Sequence, residues 1–144
     1  MERPLDCIES GLKYFHDIGP SMLVAKVFFL SSDTPITKRK LEDAMTIIAN
    51  IHPLLRMCIK TGKNGVLRWG EMKETKLDIR LDITKDWHST LAKVLKGKYD
   101  VENGPLWNLT LMPNTVSQFD DHSFKYHATL IFGYLHSIAN AGGG

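Results

Sequence analysis

Cysteine is scarce in this chain of 144 residues, where Cys7 and Cys58 are the only two. Two cysteines make no disulfide framework. Long hydrophobic runs are missing as well: nothing approaches the ~18–20 consecutive apolar residues of a membrane-spanning helix. Met1-Glu2-Arg3-Pro4 leads into a mixed polar segment and lacks the apolar core of a signal peptide. Together these absences lead us to expect a soluble protein of a reducing compartment, the cytosol. An excess of charge is also lacking, with 18 Lys and Arg against 16 Asp and Glu, a net of +2. A nucleic-acid binder would carry a basic excess or stripe; the one basic triplet, Lys38-Arg39-Lys40, reads as a solvated face at the start of a helix. There is no internal repeat. The terminal Gly142-Gly143-Gly144 is followed by no Lys, Ser or Thr and opens no helix, so it is not a phosphate loop. His122, His127 and His136 match no zinc-ligand spacing.

What remains is ordinary globular composition, 43% apolar and 24% charged. A chain of this length buries roughly 68–70% of its unfolded surface, so one domain with a sizeable core, residues 1–144, is expected. A short helix containing Leu12 and Phe15 stops at Gly19-Pro20. Met22–Leu30 is apolar on both parities apart from Lys26 and reads as a strand covered on both faces. Ser31–Pro35 is a loop. Thr37 is an N-cap for a helix to about Ile51, with Leu41, Ala44, Met45, Ile48 and Ile51 on its inner face and Pro53 as its stop. Leu55–Lys60 and Val66–Trp69 form a hairpin around Gly62 and Gly65. Leu77–Ile83 alternates as an edge or half-buried strand. A second amphipathic helix runs from Asp86 to Lys98, with Trp87, Leu91, Val94 and Leu95 inward. Leu106–Met112 alternates with Trp107, Leu109 and Leu111 inward, and Pro113–Ser123 is a polar loop. Asn108-Leu109-Thr110 matches a glycosylation sequon inside that strand. The element order predicts an α+β fold: a two-layer α/β sandwich with a largely antiparallel or mixed sheet and both helices on one face.

The last stretch, Lys125 to Ala141, is an apolar run rich in β-formers that delivers His136 just past its end. Small and polar residues follow, so the chain turns there. A histidine at such a junction is held from behind while its ring faces a cleft. Imidazole ordinarily titrates near ~6.5, which suits a general base. His52, before Pro53, reads as a helix-end residue, and His127 as a packed or hydrogen-bonded strand residue. Cys7 and Cys58 have no neighbouring base in the sequence to make them nucleophiles. Trp69, Trp87 and Trp107 are core or hairpin residues.

Several segments occur together in the order of one family. Arg3-Pro4-Leu5 with Glu9, then Ile36-Thr37 opening a helix into His52-Pro53-Leu54-Leu55-Arg56, then Tyr99-Asp100 with Gly104-Pro105-Leu106-Trp107-Asn108-Leu109, and finally His127 to Ala141, resemble the acyl-CoA-dependent acyltransferases. This superfamily includes alcohol O-acetyltransferases, peptide-synthetase condensation domains and chloramphenicol acetyltransferase. The resemblance implies half of a chloramphenicol acetyltransferase-like fold: an N-terminal subdomain, with the second subdomain and its share of the tunnel absent from this sequence. It implies acyl transfer from acyl-CoA or a carrier thioester to a small alcohol or amine, with His136 as the base. No metal or held cofactor is implied; acyl-CoA is the substrate. The family motif HHxxxDG aligns with Leu135-His136-Ser137-Ile138-Ala139-Asn140-Ala141. Leu135 stands for the first His, Asn140 for a structural Asp that pairs with an arginine, and Ala141 for the Gly. Arg56 and Arg68 are both candidates for that arginine. The alternative is a non-catalytic interaction module, or a truncated, degenerate product of the family, pairing with itself or a partner through the exposed subdomain face.

Overall fold

The computed structural model describes residues 3–4, 23–115 and 124–136. The expected helix around Leu12 and Phe15, Cys7, Glu9, His122, positions 137–141 including Asn140, and the terminal glycines lie outside the described residues.

Two sheets carry the fold. Strand β1 (Arg3–Pro4), β3 (Met57–Thr61) and β4 (Leu67–Glu71) form an antiparallel three-stranded sheet in the order β1-β4-β3. Strands β2 (Leu23–Ser32), β5 (Ile79–Leu81), β6 (Trp107–Pro113) and β7 (Tyr126–Leu135) form a four-stranded sheet in the order β2-β7-β6-β5. Only β5 runs parallel to its neighbour, so this sheet is mixed and the α+β class holds.

Helix α1 (Lys38–Ile51) starts where the Thr37 hydroxyl accepts the Lys40 N–H at 3.2 Å, satisfying a donor that has no partner inside the helix. It ends at His52, whose N–H reaches the Ile48 carbonyl, and Pro53 opens a short 3₁₀ turn, Pro53–Arg56. Helix α2 (Trp87–Lys96) is capped by Asp86, which accepts the His88 and Ser89 N–H groups and the Ser89 hydroxyl.

The helices lie on opposite faces of the four-stranded sheet, which corrects the expectation that they share one. Leu41 and Met45 of α1 pack with Leu130, Phe132, Tyr134, Trp107 and Leu109. Val94 and Leu91 of α2 pack with Ile131, Met112, Ala25 and Val27. Side chains of odd and even number on β7 point to opposite faces, so the two sets lie on opposite sides. With both faces covered and a strand on each side, β6 buries Trp107 to Met112 without alternation. The corollary is that β2, at the sheet edge, is less covered than expected: none of its residues is fully buried and Phe28 is 44% exposed.

Gly133 on β7 is where α2 comes closest. A Cβ there would lie 2.6 Å from Val94 Cγ1 and 3.0 Å from Asn108 Oδ1. The backbone of β7 meets the helix through the missing side chain. Gly104 sits at φ +70°, in the left-handed region, against the Met72 side chain.

Candidate functional site

β7 is paired on both sides, with β2 from Leu23↔Leu135 to Ser32↔Tyr126 and with β6 from Trp107↔Tyr134 to Pro113↔Ala128. The Leu135 N–H reaches the Leu106 carbonyl at 3.0 Å. His136, one residue further, is half-buried. The strand therefore fixes the backbone that presents this side chain. Leu135 is fully buried in a cluster with Met57, Ile59, Trp69, Val101 and Leu106. The position aligned with the family's first histidine is thus core, sealed between the two sheets' neighbouring segments.

Of the two candidate arginines, Arg56 holds the end of α1. Its Nη1 donates to the Ala49 and Asn50 carbonyls at 2.7 and 3.0 Å, and Nη2 lies 3.9 Å from Glu71. A cation over the last carbonyls of α1 answers acceptors that the helix leaves open and the negative end of its dipole. Arg68 is exposed on β4. His127 hydrogen-bonds Ser31 across the β2–β7 pair, 2.9 Å between Nδ1 and Oγ. His52 caps α1 through its backbone. Cys58 is buried within β3. Trp69 and Trp107 are buried and Trp87 is half-buried. No group of three or more His, Cys, Asp or Glu that could hold a metal occurs among the described residues, and no helix among them is long and apolar enough to cross a membrane.

The Tyr99-Asp100 pair closes a turn. Asp100 accepts the Asn103 amide, which holds its carboxyl below the usual carboxylate range, and the Gly104 N–H reaches the Asp100 carbonyl at 2.7 Å. Tyr99 is pushed well above the ordinary phenol range by burial, and its hydroxyl accepts the Asn108 amide at 3.0 Å. The sequence pattern missed this polar layer. Asn108 and Thr110 fall on the outward parity of an alternating strand, yet both are buried, and Asn108 Oδ1 and Thr110 Oγ1 have no hydrogen-bond partner among the described residues. Burial also removes the Asn108 sequon from the surface.

Surface clefts among the described residues include three of about 300–320 Å³. One borders Cys58 and Met72, one the start of α1 and His127, and one lies between α2 and β5. His136 lines none of them.

No protein-family model matches the sequence, and no curated protein matches it. Solved structures do. The fold is that of condensation domains, the group that the sequence resemblance indicated, present here in part. The chain is similar to the starter condensation domain of rhizomide synthetase RzmA, with a TM-score of 0.67, 14% identity, 95% of this chain covered and 33% of that one. It is similar to the condensation domain of the Monacolin K polyketide synthase MokA, with a TM-score of 0.68, 13% identity, and 94% and 30% covered. A four-domain nonribosomal peptide synthetase, holo-AB3403 bound to AMP and glycine, matches at a TM-score of 0.69 and 15% identity, over 96% of this chain and 10% of that one. A variant of the RzmA domain in complex with C8-CoA matches at 0.68 and 15%, over 95% and 31%. This chain spans a third or less of each.

Proposed function

We propose that this chain is the N-terminal subdomain of an acyltransferase of the condensation and alcohol-acetyltransferase type, and that His136 is its general base. The observation that carries the reading is the placement of His136 one residue beyond a doubly paired, buried strand in a condensation-domain fold. The ring takes the proton from an acceptor hydroxyl or amine. The freed lone pair forms a bond to the thioester carbonyl carbon of acyl-CoA or an acyl carrier. Collapse of the tetrahedral intermediate breaks the C–S bond, and the thiolate takes up the proton. The C8-CoA complex of the RzmA variant supports a thioester donor. The test is thiol release from acyl-CoA by a form of the protein that contains both subdomains. His136→Ala is expected to slow it by about 10²–10⁴-fold, the usual worth of a positioned base; an unchanged rate refutes the mechanism.

A second reading, a non-catalytic interaction module, is favoured by α1. Ala44, Ile47, Ile48 and Ile51 form an apolar stripe facing outward, with Ile47 61% and Ile51 65% exposed. Pairing of two copies of the chain through this stripe would bury it. Light scattering on the purified chain decides: a concentration-independent monomer removes the self-association form of this reading.

A further inference from the structure

We propose that the cleft between α2 and β5 binds a small oxyanion, a phosphate or a carboxylate group. The cleft, of about 320 Å³, is walled by Arg80 of β5, by Thr90, Lys93 and Val94 of α2, and by Asp82, with Thr110 of β6 on its floor. Arg80 and Thr110 are paired in register on neighbouring strands, which puts both side chains on the same face of the sheet.

Formal charges here cancel, so the ligand class follows from which hydrogen-bonding groups are already used. Asp78 accepts Nε and Nη2 of Arg80, both at 2.9 Å, which fixes the guanidinium and leaves Nη1 without a partner among the described residues. Asp82 already accepts three hydrogen bonds: one oxygen takes the Thr84 N–H and hydroxyl at 2.9 and 2.6 Å, the other the Thr90 hydroxyl at 2.7 Å. Those bonds, with the nearby Lys93 charge, hold its carboxyl below the usual range. The Lys93 ammonium has no hydrogen-bond partner among the described residues. Thr110 is 4% exposed and its hydroxyl has no partner, an arrangement that costs free energy when nothing occupies the site. The unused capacity is therefore mainly on the donor side: a guanidinium nitrogen, an ammonium and a hydroxyl, against one remaining acceptor site on Asp82. Charge-assisted bonds from Arg and Lys to an oxyanion are the strong ones, and a fixed Arg fork suits planar carboxylate and tetrahedral phosphate alike. Thr110 pairs with Ile131, five residues before His136 on β7, so the cleft lies roughly 16 Å along the strand from the proposed base. The inference is independent of the acyl-transfer reading.

The test titrates the whole chain with inorganic phosphate and, separately, with acetate, against sodium chloride at matched ionic strength, following Tm and amide chemical shifts. A saturable rise in Tm with either probe, with shifts at Arg80, Lys93 and Thr110, is expected, and the probe that saturates tells which oxyanion geometry fits. Lys93→Met, at an exposed position, is expected to weaken binding about tenfold by removing one charge-assisted contact. Thr110→Val keeps the side chain's shape and is expected to weaken it about fivefold. The proposal is overturned if neither probe acts beyond chloride, or if both variants bind as tightly as the parent.

Discussion

Restoring the family's first histidine, Leu135→His, tests the reading of that position as core. Leu135 is fully buried with Met57, Ile59, Trp69, Val101 and Leu106 around it, and of these side chains only Trp69, through its indole N–H, carries a strong hydrogen-bonding group. Removing the leucine forfeits about 1.5–3 kcal/mol of apolar burial. The ring brings one donor and one acceptor, and each left unpaired costs about 1–3 kcal/mol. The expected loss is about 3.5–9 kcal/mol, against the roughly 5–15 kcal/mol that holds a domain together. The pH dependence adds a second readout. Burial would depress the new histidine's folded-state pKa below the unfolded ~6.5, so below that pH the unfolded chain binds the extra proton. Stability relative to the parent then falls by about 1.4 kcal/mol for each pH unit below ~6.5, until the folded pKa is reached.

Urea denaturation of parent and variant at pH 8 and pH 5.5 measures both quantities. A variant within about 1 kcal/mol of the parent, with a difference independent of pH, would show that position 135 can offer a histidine a hydrogen-bonding partner. The argument that apolar packing fixes this departure from HHxxxDG would then be wrong.

Gly133→Ala forces a methyl to 2.6 Å from Val94 Cγ1, and the overpacking is expected to cost about 1–3 kcal/mol in the same assay. Arg56→Met removes two charge-assisted bonds to the end of α1, with an expected cost of about 1.5–3 kcal/mol and the first loss of far-ultraviolet signal on heating. Asp82 has a depressed folded-state pKa, so its contribution is present above the unfolded ~3.9 and fades as pH falls through the lower folded value. Asp82→Asn should therefore be less stable than the parent at pH 7, with the gap closing in acid titrations monitored by fluorescence.

Local chemistry was legible in the residues. Thr37 and Asp86 cap where side-chain oxygens precede amphipathic runs, and Pro53 stops α1. β7 ends at Leu135 because the apolar run does. Which stripe of α1 faces the sheet was not legible. Leu41, Met45 and Ala49 turn inward, while Ala44, Ile48 and Ile51, equally apolar, turn out. Two neighbouring apolar stripes satisfy the same period, and only the position of the sheet chooses between them. The burial of Asn108 and Thr110 was hidden for a related reason: alternation reports a half-buried strand, but β6 became central through β5 and β7, residues far away in the chain. The order of family segments carried the fold even though 14% identity with the RzmA domain leaves little residue-level trace.

The ladder between β2 and β7 joins segments about a hundred residues apart. A ribosome that has just made Leu23–Ser32 cannot supply its partner until almost the whole described chain has emerged. During synthesis this ten-residue strand, with Lys26 as its one charge, waits without the neighbour that will take up all ten of its pairings. Closing so long a loop is slow, and an exposed apolar edge is a template for the wrong partner in the interval. The histidine at the end of β7 is thus set in place only by a pairing that waits for Tyr126–Leu135 to emerge, so any product cut short before Tyr126 loses both the anchor of His136 and the shield of β2.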